Sequence, residues 1–98
     1  MAEAAVDFHP DAVLEGAAAH AWYAERSPAA AVALVTELDA AVEAIVEQPT
    51  RWPRYLYGTR RYLLRRFPYA VVYREQTGSI LVVAIAHGSR RPGYWRDR

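Results

Sequence analysis

The sequence predicts an α+β fold in the order β-α-α-β-β-β: an antiparallel twisted sheet with an N-terminal helical hairpin packed on one face. Three observations lead there. Apolar residues recur every three or four positions between residues 10 and 48, the period of amphipathic helices. From residue 60 to 86 the pattern becomes strand-like, with a Gly-containing turn between two β-branched runs. The two halves also differ in charge. Residues 1–50 hold nine acids and one base, Arg26, for a net −8; residues 51–98 hold eleven Arg against Glu75 and Asp97, for a net +9.

Residues 1–9 contain the first strand, Ala4 to Phe8, where Val6 and Phe8 alternate with Asp7. Pro10 suits the first turn of a helix, where a missing N–H costs nothing. From there to Arg26, Val13, Leu14, Ala17, Ala18, Ala21 and Trp22 share one helical face, which the pattern assigns to the core. Ser27-Pro28 stops this helix and starts another, with Ser as cap and Pro as first helical residue. Val32, Leu34, Val35, Leu38, Ala41, Val42, Ile45 and Val46 make the second stripe, Glu37, Asp39 and Glu43 read as solvated surface, and Pro49 ends the element. So short a join makes the pair antiparallel. Residues 50–59 read as a loop. A three-strand meander over 60–86 follows: Arg60 to Phe67, Tyr69 to Glu75, a turn at Gln76-Thr77-Gly78-Ser79, and Ile80 to Ala86 (ILVVAIA) as a central strand buried on both faces. Residues 87–98 form a basic tail.

A chain of 98 residues is sized for one domain, 1–98, and 53% apolar residues suffice for its core. No apolar run approaches the roughly 18–20 residues of a membrane span. Glu3 and Asp7 carry the wrong charge for a secretory signal, so the cytoplasm is the expected compartment and no membrane partner is expected. The absence of cysteine excludes disulfides and thiolate chemistry. His9, His20 and His87 lack metal-ligand spacing, Asp7 and Asp11 around His9 fit a strand end and helix cap better than a metal site, and no cofactor is expected. There is no phosphate-cradling Gly loop, and Ser27, Ser79 and Ser89 lack a nucleophile elbow.

Two constellations carry chemistry. In Arg51 to Arg66, Arg51, Arg54, Arg60, Arg61, Arg65 and Arg66 interleave with Trp52, Tyr55, Tyr57 and Tyr62. Guanidinium forks pair with phosphates or carboxylates while rings stack on bases, so the Arg cluster reads as a binding surface and Trp52 and Tyr62 as helix-packing residues. Arg74, Arg91 and Trp95 extend the binding set. In the tail, His87, Arg90 and Tyr94 could supply acid–base groups and charge stabilisation for phosphodiester cleavage, with the RNA 2′-hydroxyl as nucleophile; the bland reading docks Tyr94 and Trp95 on the core.

The stretch RRYLLRRFPYAVVYREQTGSILVVAIAHGSRRPGYW, with the order of elements before it, resembles the RelE/ParE superfamily of type II toxins, often labelled plasmid stabilisation proteins. The resemblance implies a growth-inhibiting toxin neutralised by a cognate antitoxin, whose acidic C-terminal segment wraps it and through which alone operator DNA is read. Its target is DNA gyrase in ParE-like members, which are not nucleases. In RelE-like members it is mRNA on the ribosome, cut by a metal-independent endoribonuclease. The RelE-like strand matching Tyr69–Tyr73 carries a phosphate-binding Arg where Ala70 stands here, while Arg90 and Tyr94 match two further functional positions. Ala70 tips the reading toward gyrase. The ribonuclease alternative would use Arg61, Arg65, Arg90 and Tyr94, with His87 as proton carrier. A non-catalytic nucleic-acid-binding module is the third reading.

Overall fold

The computed structural model describes residues 5–98: β1 (Ala5–Phe8), α1 (Pro10–Arg26), α2 (Pro28–Glu47), a one-turn 3₁₀ helix (Leu56–Gly58), β2 (Arg60–Leu63), β3 (Tyr69–Gln76) and β4 (Ser79–His87). Ala4, the expected start of the first strand, lies outside the described residues. The order is the β-α-α-β-β-β the sequence predicts. The sheet runs β1-β4-β3-β2, and one pairing departs from an all-antiparallel sheet: β1 lies parallel to β4, which makes the sheet mixed.

The helix junction follows the capping chemistry in the sequence. Ser27 closes α1 by donating its N–H to Tyr23 O at 2.7 Å and opens α2 by accepting from Ala30 N–H on Oγ at 3.2 Å, with Pro28 next. At the other end, His9 Nδ1 accepts from Asp11 N–H, so the Asp7-His9-Asp11 alternation is a strand end and helix cap.

α1 turns a different face to the sheet from the one its large residues mark. Ala12 and Ala19 are buried and Gly16 faces Ile85, whereas Val13, Leu14 and Trp22 are 56%, 65% and 49% exposed. Small residues let the helix approach the strands closely, and the large ones form an outer face. On α2, Ala31, Leu34, Ala41 and Ile45 are buried, while Val32 and Val35 are exposed.

Strand β2 stops at Leu63 instead of reaching Phe67 because the chain is pulled off the sheet by α2. The Arg65 and Arg66 N–H groups donate to Glu37 Oε1 at 2.6 and 3.1 Å, and Leu64 N–H donates to Tyr69 O. Glu37, on the face read as solvated, is thus a backbone anchor.

The core has two parts, one on each side of the sheet. Leu34, Ile45, Val71, Tyr73, Ile80, Val82 and Ile85 meet the helices; Ala70, Val72, Val83, Ala84, Ala86 and Trp95 pack on the opposite face, beneath the tail. A bulge sorts β4 between them. Val72 pairs with Ala84 and Tyr73 with Val82, so Val83 is the extra residue. Val83 and Ala84 both face away from the helices, and Ile85 returns to them.

Candidate functional site

The open face of the sheet carries a groove of about 310 Å³. Its floor is Ala70, Val72 and Ala86, small side chains brought together by β3–β4 pairing. Its rim holds Arg61 from β2, His87 at the end of β4, and Arg90 and Tyr94 from the tail. Each Arg is stacked: Arg61 lies over the Tyr55 ring at 3.9 Å and Arg90 over Tyr94 at 3.8 Å. His87 Nδ1 accepts from Ser89 N–H at 3.0 Å, and the ring meets Tyr69 edge-on. Burial, with nearby Tyr23, raises the Tyr69 pKa. Two fixed guanidiniums over an apolar floor suit an anionic group joined to a flat or apolar one.

Behind the groove lies a part-buried polar network that the sequence did not announce. Glu15, on α1, accepts from Tyr94 Oη at 2.6 Å, from Arg98 Nη1 and Nη2 at 2.8 and 3.1 Å, and from the Ile85 N–H at 3.0 Å. Arg98 Nη1 also donates to Val83 O at 3.1 Å. These bonds have a backbone cause. β1 ends at Phe8, opposite Val82, and leaves the rest of the β4 edge without a strand partner among the described residues. Glu15 supplies an acceptor for the Ile85 N–H there, and Arg98 a donor for the Val83 carbonyl. Tyr94 is consequently held as a proton donor: burial, then its bond to Glu15, raises its pKa well above the ordinary tyrosine value, against the opposing pull of Arg98 and Arg90. The Arg98 pKa is likewise raised by its bond to Glu15.

Of the other sequence candidates, Arg65 is exposed on the loop after β2, anchored through its backbone to Glu37, and does not line the groove. Arg66 pairs with Glu37 at 3.5 Å and Arg60 with Glu75 at 2.6 Å. Arg74 donates to the Arg98 carbonyl oxygen at 2.8 Å. Arg51 stands over Trp52, and Arg54 and Arg91 are exposed. Trp95, counted among the binding residues, is 2% exposed and packs beside Tyr55 as core. Trp52 and Tyr62 meet edge to face at 4.5 Å on the helical side. Among the described residues, no group of three or more His, Cys, Asp or Glu is placed to hold a metal ion, and no helix is long and apolar enough to cross a membrane.

Residues 6–92 match the model of a family described as the ParE toxin of the type II toxin–antitoxin system parDE. The chain belongs to the ParE toxin family. A solved structure titled as the chromosomal ParDE toxin–antitoxin system from P. aeruginosa has the same fold: TM-score 0.76 at 18% identity, over 87% of this chain and 96% of that one. No curated protein matches the sequence. This ParE-family chain is therefore a type II toxin, with an antitoxin as its partner.

One further feature of the ParE-family chain escaped the sequence. Tyr57, at φ 57° and ψ 45°, is the one non-glycine residue of positive φ among the described residues, and Gly58 follows at φ 72°. Thr59 N–H closes the turn on Leu56 O. Two successive positive-φ positions favour Asn, Asp or Gly, and a side chain such as Tyr costs roughly 1–2 kcal/mol there. Tyr57 is 50% exposed and its ring lies on Gly93, where a Cβ would come 2.5 Å from Tyr57 Cε2. The Tyr-Gly pair at 57–58 was the available signal, although the sequence does not distinguish it from other loop glycines.

Proposed function

We propose that this toxin acts by binding DNA gyrase rather than by cutting RNA. The observation that carries the reading is the condition of Tyr94. Its hydroxyl donates into the Glu15–Arg98 network and its pKa is raised, so it is a structural donor and not a group free to move a substrate proton. Ala70 in the groove floor adds support, because the phosphate-binding Arg of RelE-like members has no counterpart at that point of the strand. Arg65, one possible substitute, lies away from the groove.

A ribonuclease remains the second reading on one observation: Arg61, His87 and Arg90 share a groove. Inhibition of gyrase supercoiling by the purified toxin, with no codon-periodic mRNA ends after induction, is the expected result. Codon-periodic cleavage without gyrase inhibition reverses the assignment. Tyr94→Phe sharpens the test, since it removes the proton and keeps the ring: binding leaves growth arrest in place, and a Tyr94-dependent nuclease loses it.

The antitoxin in this reading is acidic and disordered when free. Its C-terminal segment covers the apolar groove of about 470 Å³ between α1 and α2, where Phe8, Val13, Ala17, Val35, Leu38 and Val42 are left open, and continues to the basic face. Operator DNA is contacted through the antitoxin.

A further inference from the structure

We infer that the turn Tyr55–Gly58 and the tail segment Arg91–Arg96 form one docking knob, anchored by Tyr57, that seats on an acidic protein surface of the toxin's target. The inference deepens the binding reading above and rests on it.

Four observations converge on the knob. Tyr57 occupies a left-handed backbone position that a smaller polar residue or glycine fills more easily, yet its ring is half exposed and so is not kept there by burial in the core. Gly93, itself at φ 83°, is shaped to receive that ring, since any side chain at 93 would collide with it. The tail is wound by successive bonds from Tyr94 N–H to Arg91 O and from Arg96 N–H to Gly93 O, which carries the Arg96 guanidinium to 5.4 Å from the Tyr57 ring. Leu56, beside Tyr57, is 40% exposed. A rigid, half-exposed aromatic with an apolar neighbour has the anatomy of an interface anchor.

The charge around the anchor specifies the partner. Arg54, just before the turn, and Arg91 on the tail are exposed and have no carboxylate within 4.0 Å among the described residues. Arg96 has only its neighbour Asp97 at 3.9 Å, and Glu75 is taken by Arg60. The rim is basic, so the occupant is acidic. A protein fits better than a nucleic acid because the nearby rings are already occupied. Tyr55 carries Arg61 and abuts Trp95, Tyr94 carries Arg90, and Tyr57 has one side on Gly93. Strand binding by stacking needs a row of free faces.

The deciding experiment compares the full-length toxin with Tyr57→Asn, a residue suited to the same backbone position. The expected outcome is an unchanged or higher urea midpoint, undiminished antitoxin capture, and at least a tenfold rise in the toxin concentration needed to inhibit gyrase or arrest growth. Arg91→Glu, on an exposed side chain, is expected to give the same loss and decides the matter if the Asn variant folds poorly. Full potency of the well-folded variant overturns the knob. Growth arrest by the wild type without gyrase inhibition overturns the gyrase assignment instead; the knob is then judged by arrest alone, with loss in the variant supporting it and retention overturning it. Tenfold weaker binding of a fluorescent oligoribonucleotide by the variants, with protein inhibition intact, overturns the protein as occupant.

Discussion

Glu15 is the residue on which the tail's position depends. Its side chain is 15% exposed and that of Arg98 16%, so the pair is shielded from the solvent that makes surface ion pairs weak. Glu15→Gln removes the charge while keeping the shape, and leaves Arg98 poorly compensated. A loss of about 3 kcal/mol is expected in urea unfolding; a loss below about 0.5 kcal/mol would mean that the tail is held by Trp95 alone. Two buried tyrosine hydroxyls, Tyr94 in this network and Tyr73 outside it, set an alkaline limit. Burial pushes Tyr73, which donates to Pro49 O at 2.5 Å, up to about 12, and Tyr94 is raised as well. Both are acids whose folded pKa exceeds the unfolded value of 10.0. The unfolded chain therefore releases those protons first, and stability present below pH 10 declines as pH climbs from there toward 12. Tyr94→Phe should flatten that decline in a pH series of unfolding midpoints, and an unaltered slope would remove Tyr94 from the account. At this scale the sequence singled out Arg90 and Tyr94 but not their partner. Glu15 lies 79 and 83 positions from Tyr94 and Arg98, and only the closed fold brings them together.

The elements were legible to the degree that local chemistry fixes them. The Ser27-Pro28 junction and the Thr77-Gly78 turn are written in residue types whose backbone preferences act within a few positions, and both stand where the sequence puts them. Two features depend on distant partners and were not legible. The run ILVVAIA is apolar at every position, so no alternation marks Val83 as the bulge. On α1 the rule that large residues go inside fails, because the helix meets the sheet with Ala12, Gly16 and Ala19 and leaves Val13 and Leu14 outside. That close approach has room to spare at Gly16, where an added Cβ would sit 4.0 Å from Ile85 Cγ1. Gly16→Ala should thus stabilise the toxin by about 0.5–1 kcal/mol through helix propensity, a rise of several degrees in melting temperature. Ala19→Leu, facing the strands without such slack, should destabilise by about 1–3 kcal/mol. The reverse order of the two melting temperatures would show that α1 does not pack as described.

For the whole molecule, the charge contrast between the sequence halves is only partly preserved in space. Glu37 reaches from the helical layer to Arg66, and Glu15 and Asp11 reach Arg98, so the boundary is stitched by opposite charges. Arg51 and Arg54 before the turn, Arg61 on the groove rim, Arg65 after β2 and Arg91 on the tail have no carboxylate within 4.0 Å among the described residues. Under the proposed antitoxin reading, an acidic segment approaching this side would feel a summed field before it made any contact, and that field is screened over about 10 Å at 0.1 M salt. Association of the toxin with a peptide of the antitoxin's C-terminal segment should therefore slow by about tenfold or more between roughly 50 and 500 mM NaCl. The dissociation rate should change far less, because apolar contacts on the outer face of α1 and α2 are not screened. Stopped-flow fluorescence separates the two rates. A salt-insensitive association rate would rule out steering and leave the proposed seat in the helical groove to account for antitoxin capture alone.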